Sequence, residues 1–341
     1  MLRKLSLILS ALVMGCLCSQ AADVVVGAAR TDSYIPDMKG KRVALFSNHT
    51  GMVGDKHTLD LMLDGGLNVV NIFSPEHGFR GKADAGEHVS SGVDPVTGIK
   101  IASLYDGGKR GPSAEVMNGL DVIVVDIQDV GLRYYTYYCT MIDLMNAAAE
   151  YGKSVVVLDR PNPNGMYVDG PILDMKYSSG VGRLPIAPSP NLRDMKAIYL
   201  YPATCYFEAT PVSLGRGTDM PFLCYGHPDM KGRSFDFTPR SVDGAKNPPQ
   251  KDALCHGVDL RSIADEDAIA AGVNLEYVID AYRDLAMGDS FFRSFFEKLI
   301  GRGDIRTMIE QGKSAAEIKA TWAGDVERFK RQRRPYLLYA E

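Results

Sequence analysis

The feature that most constrains the fold is a regular alternation of apolar runs and helix-like segments over the range 41–159. The run Asp121–Ile127 is apolar on both faces, which is typical of a central strand in a parallel sheet. Shorter apolar runs lie at Val43–Phe46, Asn68–Phe73 and Ser154–Leu158. Strands that alternate with helices predict an α/β fold with a doubly wound, mainly parallel sheet.

The second half of the chain has a different pattern. The stretch 165–259 is rich in Gly and Pro, with a strand predicted near Ala197–Leu200, and the pattern beyond it is helical. One predicted helix carries an apolar face formed by Leu275, Val278, Ile279, Tyr282 and Leu285. A last helix is predicted from the spacing of Ile318, Trp322, Val326 and Phe329. We therefore expect two domains, at residues 22–175 and 176–341.

The first residues have the pattern of a signal peptide. A basic start at Arg3 and Lys4 precedes the apolar run Leu5–Leu17, and small residues at Ser19 and Ala21 follow it. This predicts a signal peptide at residues 1–21 and an exported, periplasmic protein. Because the run is shorter than the roughly 20 residues that span a bilayer, we expect no membrane span. Alternatively, Cys16 is a lipid attachment site.

Charge and cysteine usage exclude several classes of function. The chain has 38 Lys+Arg and 42 Asp+Glu, a net charge of -4, so it has no basic field for wholesale nucleic-acid binding. Four cysteines remain after the predicted signal peptide, widely scattered and without metal-binding spacing. We expect buried thiols, no metal and no cofactor.

Polar side chains follow each predicted strand. The pairs Glu76 and His77, Asp126 and Asp129, and Asp159 and Arg160 come after three of the strands, and Asn48 follows another. Ligands of open parallel sheets bind beyond the carboxyl ends of the strands, so these side chains predict one crevice. The alternative is that they are turn and cap residues.

Glu76 is the strongest candidate for a catalytic acid. Pro75 and Gly78 place it in a stiff turn, and desolvation beside an apolar neighbour would favour the neutral carboxyl group that a general acid needs. His77 would relay the proton or simply pack. With Asp126 or Asp129 as a second carboxyl group, this is the arrangement that glycoside hydrolysis needs.

Arginine and tyrosine residues near these strand ends indicate the kind of sugar. The guanidinium groups of Arg80, Arg133, Arg160 and Arg216 match carboxylates, so an acidic sugar is a reasonable substrate. Tyr135 lies in a tyrosine-rich segment, residues 134–138, whose rings would either stack on sugars or pack as core. No P-loop and no Gly-x-Ser-x-Gly elbow is present.

Several long motifs resemble one known family. They are Ser47–Gly51, Ser74–Gly81, Asp126–Gly131 with Arg133–Tyr137, Asp159–Gly165, Pro188–Leu192 and Phe207–Thr218. These motifs resemble the exo-β-N-acetylmuramidases, formerly called the DUF1343 family, which are exported enzymes of peptidoglycan turnover. The resemblance covers nearly the whole chain after the signal peptide.

The resemblance implies a Rossmann-like N-terminal domain, a smaller C-terminal α+β domain and a cleft between them. It implies removal of N-acetylmuramic acid from the non-reducing ends of peptidoglycan glycans, with Glu76 as the catalytic glutamate. His77 and Asp126 complete the expected catalytic set. The expected substrate contacts are Asn48, Arg80, Asp129, Arg133, Tyr135, Asp159, Arg160, Asn162, Asn164, Glu208 and Arg216.

The chain departs from the family pattern at one place. Family members carry a further segment, about one helix and one strand, where Ile186 here leads almost directly to Pro188. Its absence leaves one alternative to an active muramidase, a non-catalytic protein that binds peptidoglycan sugars. A separate alternative is an exported α/β hydrolase acting on another glycan.

Overall fold

The apolar runs of the first half form one six-stranded sheet in the computed structural model, which describes residues 24–75, 79, 91–104, 111–174, 192 and 194–339. The strands of this half are β1 (Arg42–Ser47), β2 (Met52–Val53), β3 (Lys56–His57), β4 (Asn68–Ser74), β5 (Gly92–Val93), β6 (Lys100–Ser103), β7 (Val122–Asp126) and β8 (Ser154–Val157). The sheet has the order β5-β6-β4-β1-β7-β8, and β2 and β3 form a separate hairpin. Only the short edge strand β5 runs antiparallel to its neighbour.

Helices cover both faces of this sheet. They are α1 (Thr31–Met38), α2 (Thr58–Asp64), α3 (Ala114–Asn118) and α4 (Tyr137–Glu150). Side chains alternate along β1, so Val43 and Leu45 pack with α1 and α2, whereas Ala44 and Phe46 pack with α3 and α4. Burial on both faces explains the continuous apolar runs, and the predicted doubly wound α/β fold is confirmed.

The second half combines a small sheet with helices. Its strands are β9 (Cys224–His227), β10 (Phe235–Phe237) and β11 (Cys255–Asp259), which form an antiparallel sheet of order β10-β11-β9. Its helices are α5 (Met195–Thr204), α6 (Asp265–Ala271), α7 (Glu276–Leu285), α8 (Phe296–Ile300), α9 (Asp304–Glu310), α10 (Ala315–Ala320) and α11 (Ala323–Arg333). They share a core rich in aromatic side chains. The combination of a small antiparallel sheet with helices confirms the predicted smaller C-terminal α+β part.

The strand predicted near Ala197–Leu200 is wrong, because these residues lie in helix α5. The Asp194 side chain accepts a hydrogen bond from the Ala197 backbone at 2.7 Å and so caps the helix. Ala197, Leu200 and Tyr201 are all buried. Their spacing of three and four residues is that of one helix face.

The single last helix predicted from Ile318 to Phe329 is in fact two helices, α10 and α11. Trp322 lies between them with non-helical backbone angles. Ile318, Trp322 and Val326 are nevertheless all buried in the same core. The apolar spacing thus marks one buried face, which is shared by two helices and not formed by one continuous helix.

Asp169 connects the segment after β8 to the C-terminal helices. It accepts hydrogen bonds from the Trp322 indole at 2.9 Å and from the Val273 backbone at 3.0 Å. The Lys319 ammonium lies 2.6 Å from the same carboxylate. Gly272 lies so close that an added Cβ would be 2.7 Å from an Asp169 oxygen. One carboxylate thus fixes three parts of the C-terminal core.

The four cysteines of the described chain are buried free thiols: Cys139, Cys205, Cys224 and Cys255. Among the described residues, no helix combines the length and the apolar character that crossing a bilayer requires.

We predict that Asp169→Ala lowers the free energy of unfolding by about 3 kcal/mol, because it leaves the Trp322 and Val273 donors buried without partners. Urea denaturation followed by the fluorescence of Trp322, the single tryptophan of the chain, measures this. Asp325→Ala, which removes an exposed pair with Arg328, is the matched control and should change stability little. Equal stability of the two variants would contradict the role of Asp169.

Candidate active site

A cavity of about 480 Å³ opens at the carboxyl ends of β7 and β8. Its wall is apolar where Ile127, Met141 and Val157 line it. Its polar lining is formed by Asp129, Arg133, Tyr138, Asp159, Arg160 and Asn162. The cavity lies at the sheet edge where the sequence predicted a crevice, which is where open parallel sheets bind ligands.

A buried ion pair between Asp126 and Arg160 lies beside this cavity. The Arg160 Nε donates to Asp126 Oδ1 at 2.6 Å, and Nη2 donates to Oδ2 at 2.9 Å. The side chains are 0% exposed for Asp126 and 8% exposed for Arg160. The two parallel hydrogen bonds fix the plane of the guanidinium group.

Local structure around β1 explains how this pair is enclosed. Thr58, at the start of α2, donates its hydroxyl to Asp126 Oδ2 at 2.5 Å. Gly51 packs against the same group, and a Cβ there would lie 2.3 Å from Ser47 Oγ and 3.2 Å from Asp126 Oδ2. Position 51, in the turn after β1, therefore has room only for glycine beside the ion pair.

Both oxygens of Asp126 are therefore occupied by protein donors. This corrects the expectation that Asp126 acts on the sugar, since a side chain without exposed surface cannot reach it. The role that the geometry gives Asp126 is to hold Arg160. Arg160 Nη2 also donates to the Met52 carbonyl at 3.1 Å, and within the described part of the chain Nη1 makes no hydrogen bond, so Nη1 is the donor left for a ligand.

Asp129 is a carboxyl group of the cavity that hydrogen-bonds to backbone N–H groups and to no cation among the described residues. It accepts hydrogen bonds from the backbone N–H groups of Gly131 at 2.7 Å and Tyr138 at 3.3 Å. Burial raises the pKa of Asp129 to about 6, although these backbone hydrogen bonds and one from Val130 oppose the shift. The group can therefore gain and lose a proton near neutral pH, as acid–base catalysis requires.

Asn162 and Gln128 hold the strand-end loops together. Gly131, at φ +71°, lies so close to Asn162 that an added Cβ would be 2.2 Å from its amide. The Gln128 amide donates to the Pro161 carbonyl at 2.8 Å, and its backbone N–H donates to Thr50 at 3.3 Å. The loops after β1, β7 and β8 are thus joined, which the sequence analysis did not foresee for Gln128.

Arg133 lines the cavity but is used for packing. Its Nη1 donates to the Pro171 carbonyl at 2.8 Å, and its Nη2 donates to the Ile300 carbonyl at 2.7 Å. Positive charge at the carbonyl end of α8 is favourable for the helix dipole. These contacts connect the two halves of the chain and leave Arg160 as the better-placed cation for a substrate.

Three expected substrate contacts are buried instead. Tyr135 is 3% exposed and donates its hydroxyl to the Gln128 carbonyl, so its ring has no free face for a sugar. Asn48 donates to the Tyr137 hydroxyl at 3.0 Å, and Asn164 donates to the Val130 carbonyl at 2.9 Å. Tyr138, and not Tyr135, is the tyrosine that lines the cavity.

Glu208 and Arg216 pair with each other in the second half of the chain, at 2.7 Å, and are not among the residues that line this cavity. Glu76, His77 and Arg80 lie outside the described residues. Strand β4, which precedes Glu76, ends at the same sheet edge as the cavity: Phe73 is in register with Phe46 of β1. Among the described residues, no group of acidic, His or Cys side chains could hold a metal.

Comparison with known proteins identifies the family. The family model "Exo-beta-N-acetylmuramidase NamZ, N-terminal" matches residues 43–193, and its C-terminal counterpart matches residues 199–339. The chain belongs to the NamZ family. The resemblance inferred from the sequence motifs is thereby confirmed.

Relatives of the NamZ family match along most of the chain. The peptidoglycan beta-N-acetylmuramidase NamZ of Bacillus subtilis (strain 168) is 34% identical over 90% of each protein. That alignment has 375 positions, more than the 341 residues of this chain, so the relative carries residues that this chain lacks. The site at which the sequence predicted a missing segment, Ile186–Pro188, lies outside the described residues.

Two crystal structures of DUF1343 family proteins from Bacteroides fragilis have the same fold. One is 52% identical with a TM-score of 0.86 and covers 94% of this chain and 100% of its own. The other is 25% identical with a TM-score of 0.75 and covers 92% of this chain and 98% of its own.

We predict that the raised pKa of Asp129 makes stability pH-dependent. The unfolded carboxyl group loses its proton near pH 3.8 and the folded one near pH 6. The free energy of unfolding should therefore fall as the pH rises between these values, by about 3 kcal/mol relative to Asp129→Asn, and stay lower above them. Urea denaturation of both proteins from pH 4 to pH 7 measures the difference. A difference that stays constant over this range would contradict the assignment.

Proposed function

We propose that this protein is an exo-acting glycoside hydrolase that releases terminal N-acetylmuramic acid from the non-reducing ends of peptidoglycan fragments. Membership of the NamZ family supports a glycosidase of muramic residues, since its Bacillus subtilis relative is a peptidoglycan beta-N-acetylmuramidase. The observation that carries the proposal to this chain is that Arg160 lies in the cavity wall with Nη1 unbonded among the described residues.

Muramic acid differs from glucosamine by a lactyl ether that carries a carboxylate. A guanidinium group whose other edge is held by a buried aspartate is a rigid partner for such an anion. The Asp126–Arg160 pair supplies this arrangement. In this proposal Arg160 binds the lactyl carboxylate, while Asn162 and the Tyr138 ring border the sugar.

The proposed chemistry uses two carboxyl groups. Glu76 donates its proton to the glycosidic oxygen as the bond from this oxygen to the anomeric carbon breaks. Asp129 is the second carboxyl group, which assists water or stabilises the positive anomeric carbon. Its place in the cavity wall and its pKa of about 6 support this role over Asp126.

Export to the periplasm belongs to the same proposal. Peptidoglycan lies outside the cytoplasmic membrane, and residues 1–21 have the pattern of a signal peptide. Attachment of a lipid at Cys16 is the alternative to release after cleavage.

We predict that Glu76→Gln abolishes release of N-acetylmuramic acid from a muramic–glucosamine disaccharide, because the amide has no proton to give to the leaving oxygen. Product release measured by chromatography tests this. Glu115→Gln, on the exposed side of α3, is the matched control and should keep full activity. Unchanged turnover in Glu76→Gln would remove Glu76 from the mechanism.

Calorimetry on the wild-type protein separates the enzyme from a protein that only binds the sugar. The absence of residues that the Bacillus subtilis relative carries favours testing this second candidate. Binding of the disaccharide without its hydrolysis would select the binding protein.

We predict that Arg160→Ala raises KM for muramic substrates by roughly 10- to 100-fold more than for the corresponding glucosamine substrates, since a hydrogen-bonded charge pair is lost with the muramic substrate alone. Steady-state kinetics on both sugars with the same variant measures this. Partial unfolding would affect both sugars equally.

Arg160→Lys, which keeps the charge but loses the planar fork, should give an intermediate effect. Arg42→Ala removes an exposed arginine at the opposite end of β1 and should change neither sugar. Equal increases of KM for both sugars in Arg160→Ala would contradict the assignment of Arg160 to the lactyl carboxylate.

A further inference from the structure

The C-terminal end of the described chain makes a hydrogen bond to a residue that lines the cavity. The hydroxyl of Tyr339 donates a hydrogen bond to Asp159 Oδ2, across 180 positions of sequence. Asp159 lines the cavity and follows β8 directly, one residue before Arg160. The tail of the chain is thus brought to the strand end that carries the proposed anion-binding residue.

The segment that makes this contact is unusually exposed. After α11 and a 3₁₀ turn at Arg334–Tyr336, the large side chains Tyr336, Leu338 and Tyr339 are 83%, 90% and 66% exposed. The only hydrogen bond of Tyr339 to another described residue is the one to Asp159. A largely exposed aromatic ring whose hydroxyl is bonded to a lining residue of a polar cavity is unlike a side chain that completes a core.

The protonation state of Tyr339 fits this contact. The Asp159 carboxylate raises the pKa of the Tyr339 hydroxyl through their hydrogen bond. A tyrosine hydroxyl is protonated at neutral pH in any case, and this one donates to one oxygen of Asp159. The ring position is fixed relative to the cavity wall although the ring face stays open.

We propose that Tyr339 is a substrate-contacting residue whose ring stacks on a pyranose of the bound glycan while its hydroxyl orients Asp159. This rests on the proposed function, because it takes the ligand of the cavity to be a muramic glycan. Sugar rings present apolar C–H faces, and a tyrosine couples such a face to a polar anchor. The C-terminal tail then forms one side of the sugar site, together with the loops after β7 and β8.

The test compares three single variants on a muramic–glucosamine disaccharide. Tyr339→Ala should raise both KM and the Kd measured by calorimetry about three- to tenfold, with kcat within twofold of wild type. Tyr339→Phe keeps the ring and should retain part of the affinity. Tyr336→Ala removes a tyrosine of the same segment that is 83% exposed, and should behave as wild type.

Circular dichroism and thermal melting should be unchanged in all three variants, because both tyrosines are exposed. A Tyr339→Ala variant that binds and turns over like Tyr336→Ala would overturn the proposal while leaving the hydrolase function intact. A loss of kcat at unchanged KM would also overturn it.

A wild-type protein that binds the disaccharide without cleaving it would contradict the hydrolase function. The Kd ratio of Tyr339→Ala to wild type would then still decide the role of the tail. A wild-type protein that does not bind the disaccharide would overturn both.

Discussion

The buried pair of Asp126 and Arg160 is the interaction on which the organisation of the site depends. An ion pair closed to solvent needs the partner charge and further hydrogen bonds to offset the hydration that each charge has lost. Here the last residue of a central strand supplies the anion and the loop after the edge strand supplies the cation. The loops after β7 and β8 must therefore keep their relative positions for the pair to exist.

The need to enclose this ion pair also constrains residues that do not contact a ligand. Thr58 begins helix α2 at a position from which its hydroxyl reaches Asp126. Gly51, in the turn after β1, has no room for a side chain beside Asp126. The hairpin β2–β3 joins these two positions. The hairpin contacts the ion pair through the Met52 carbonyl, which accepts from Arg160 Nη2, and Nη1 is the donor that remains for a ligand.

Much of the fold could be predicted from the sequence because burial on both faces leaves continuous apolar runs, as in β7. The short run Ala197–Leu200 was misjudged because a few apolar residues fit a buried helix as well as a strand. Strand ends identified the edge that carries the cavity. Sequence spacing could not show that Asp126 forms an ion pair with Arg160, or that Arg133 donates to backbone carbonyls. Both interactions depend on residues that are distant in the sequence.

The buried free thiols have a consequence for the folding of the chain. Every cysteine in the described ranges is closed to solvent and unpaired, so neither an oxidant nor a stray disulfide partner can reach it once folding is complete. The described part of the native fold therefore contains no disulfide that a reducing compartment would break. Within these ranges, folding requires neither oxidation nor rearrangement of cysteines.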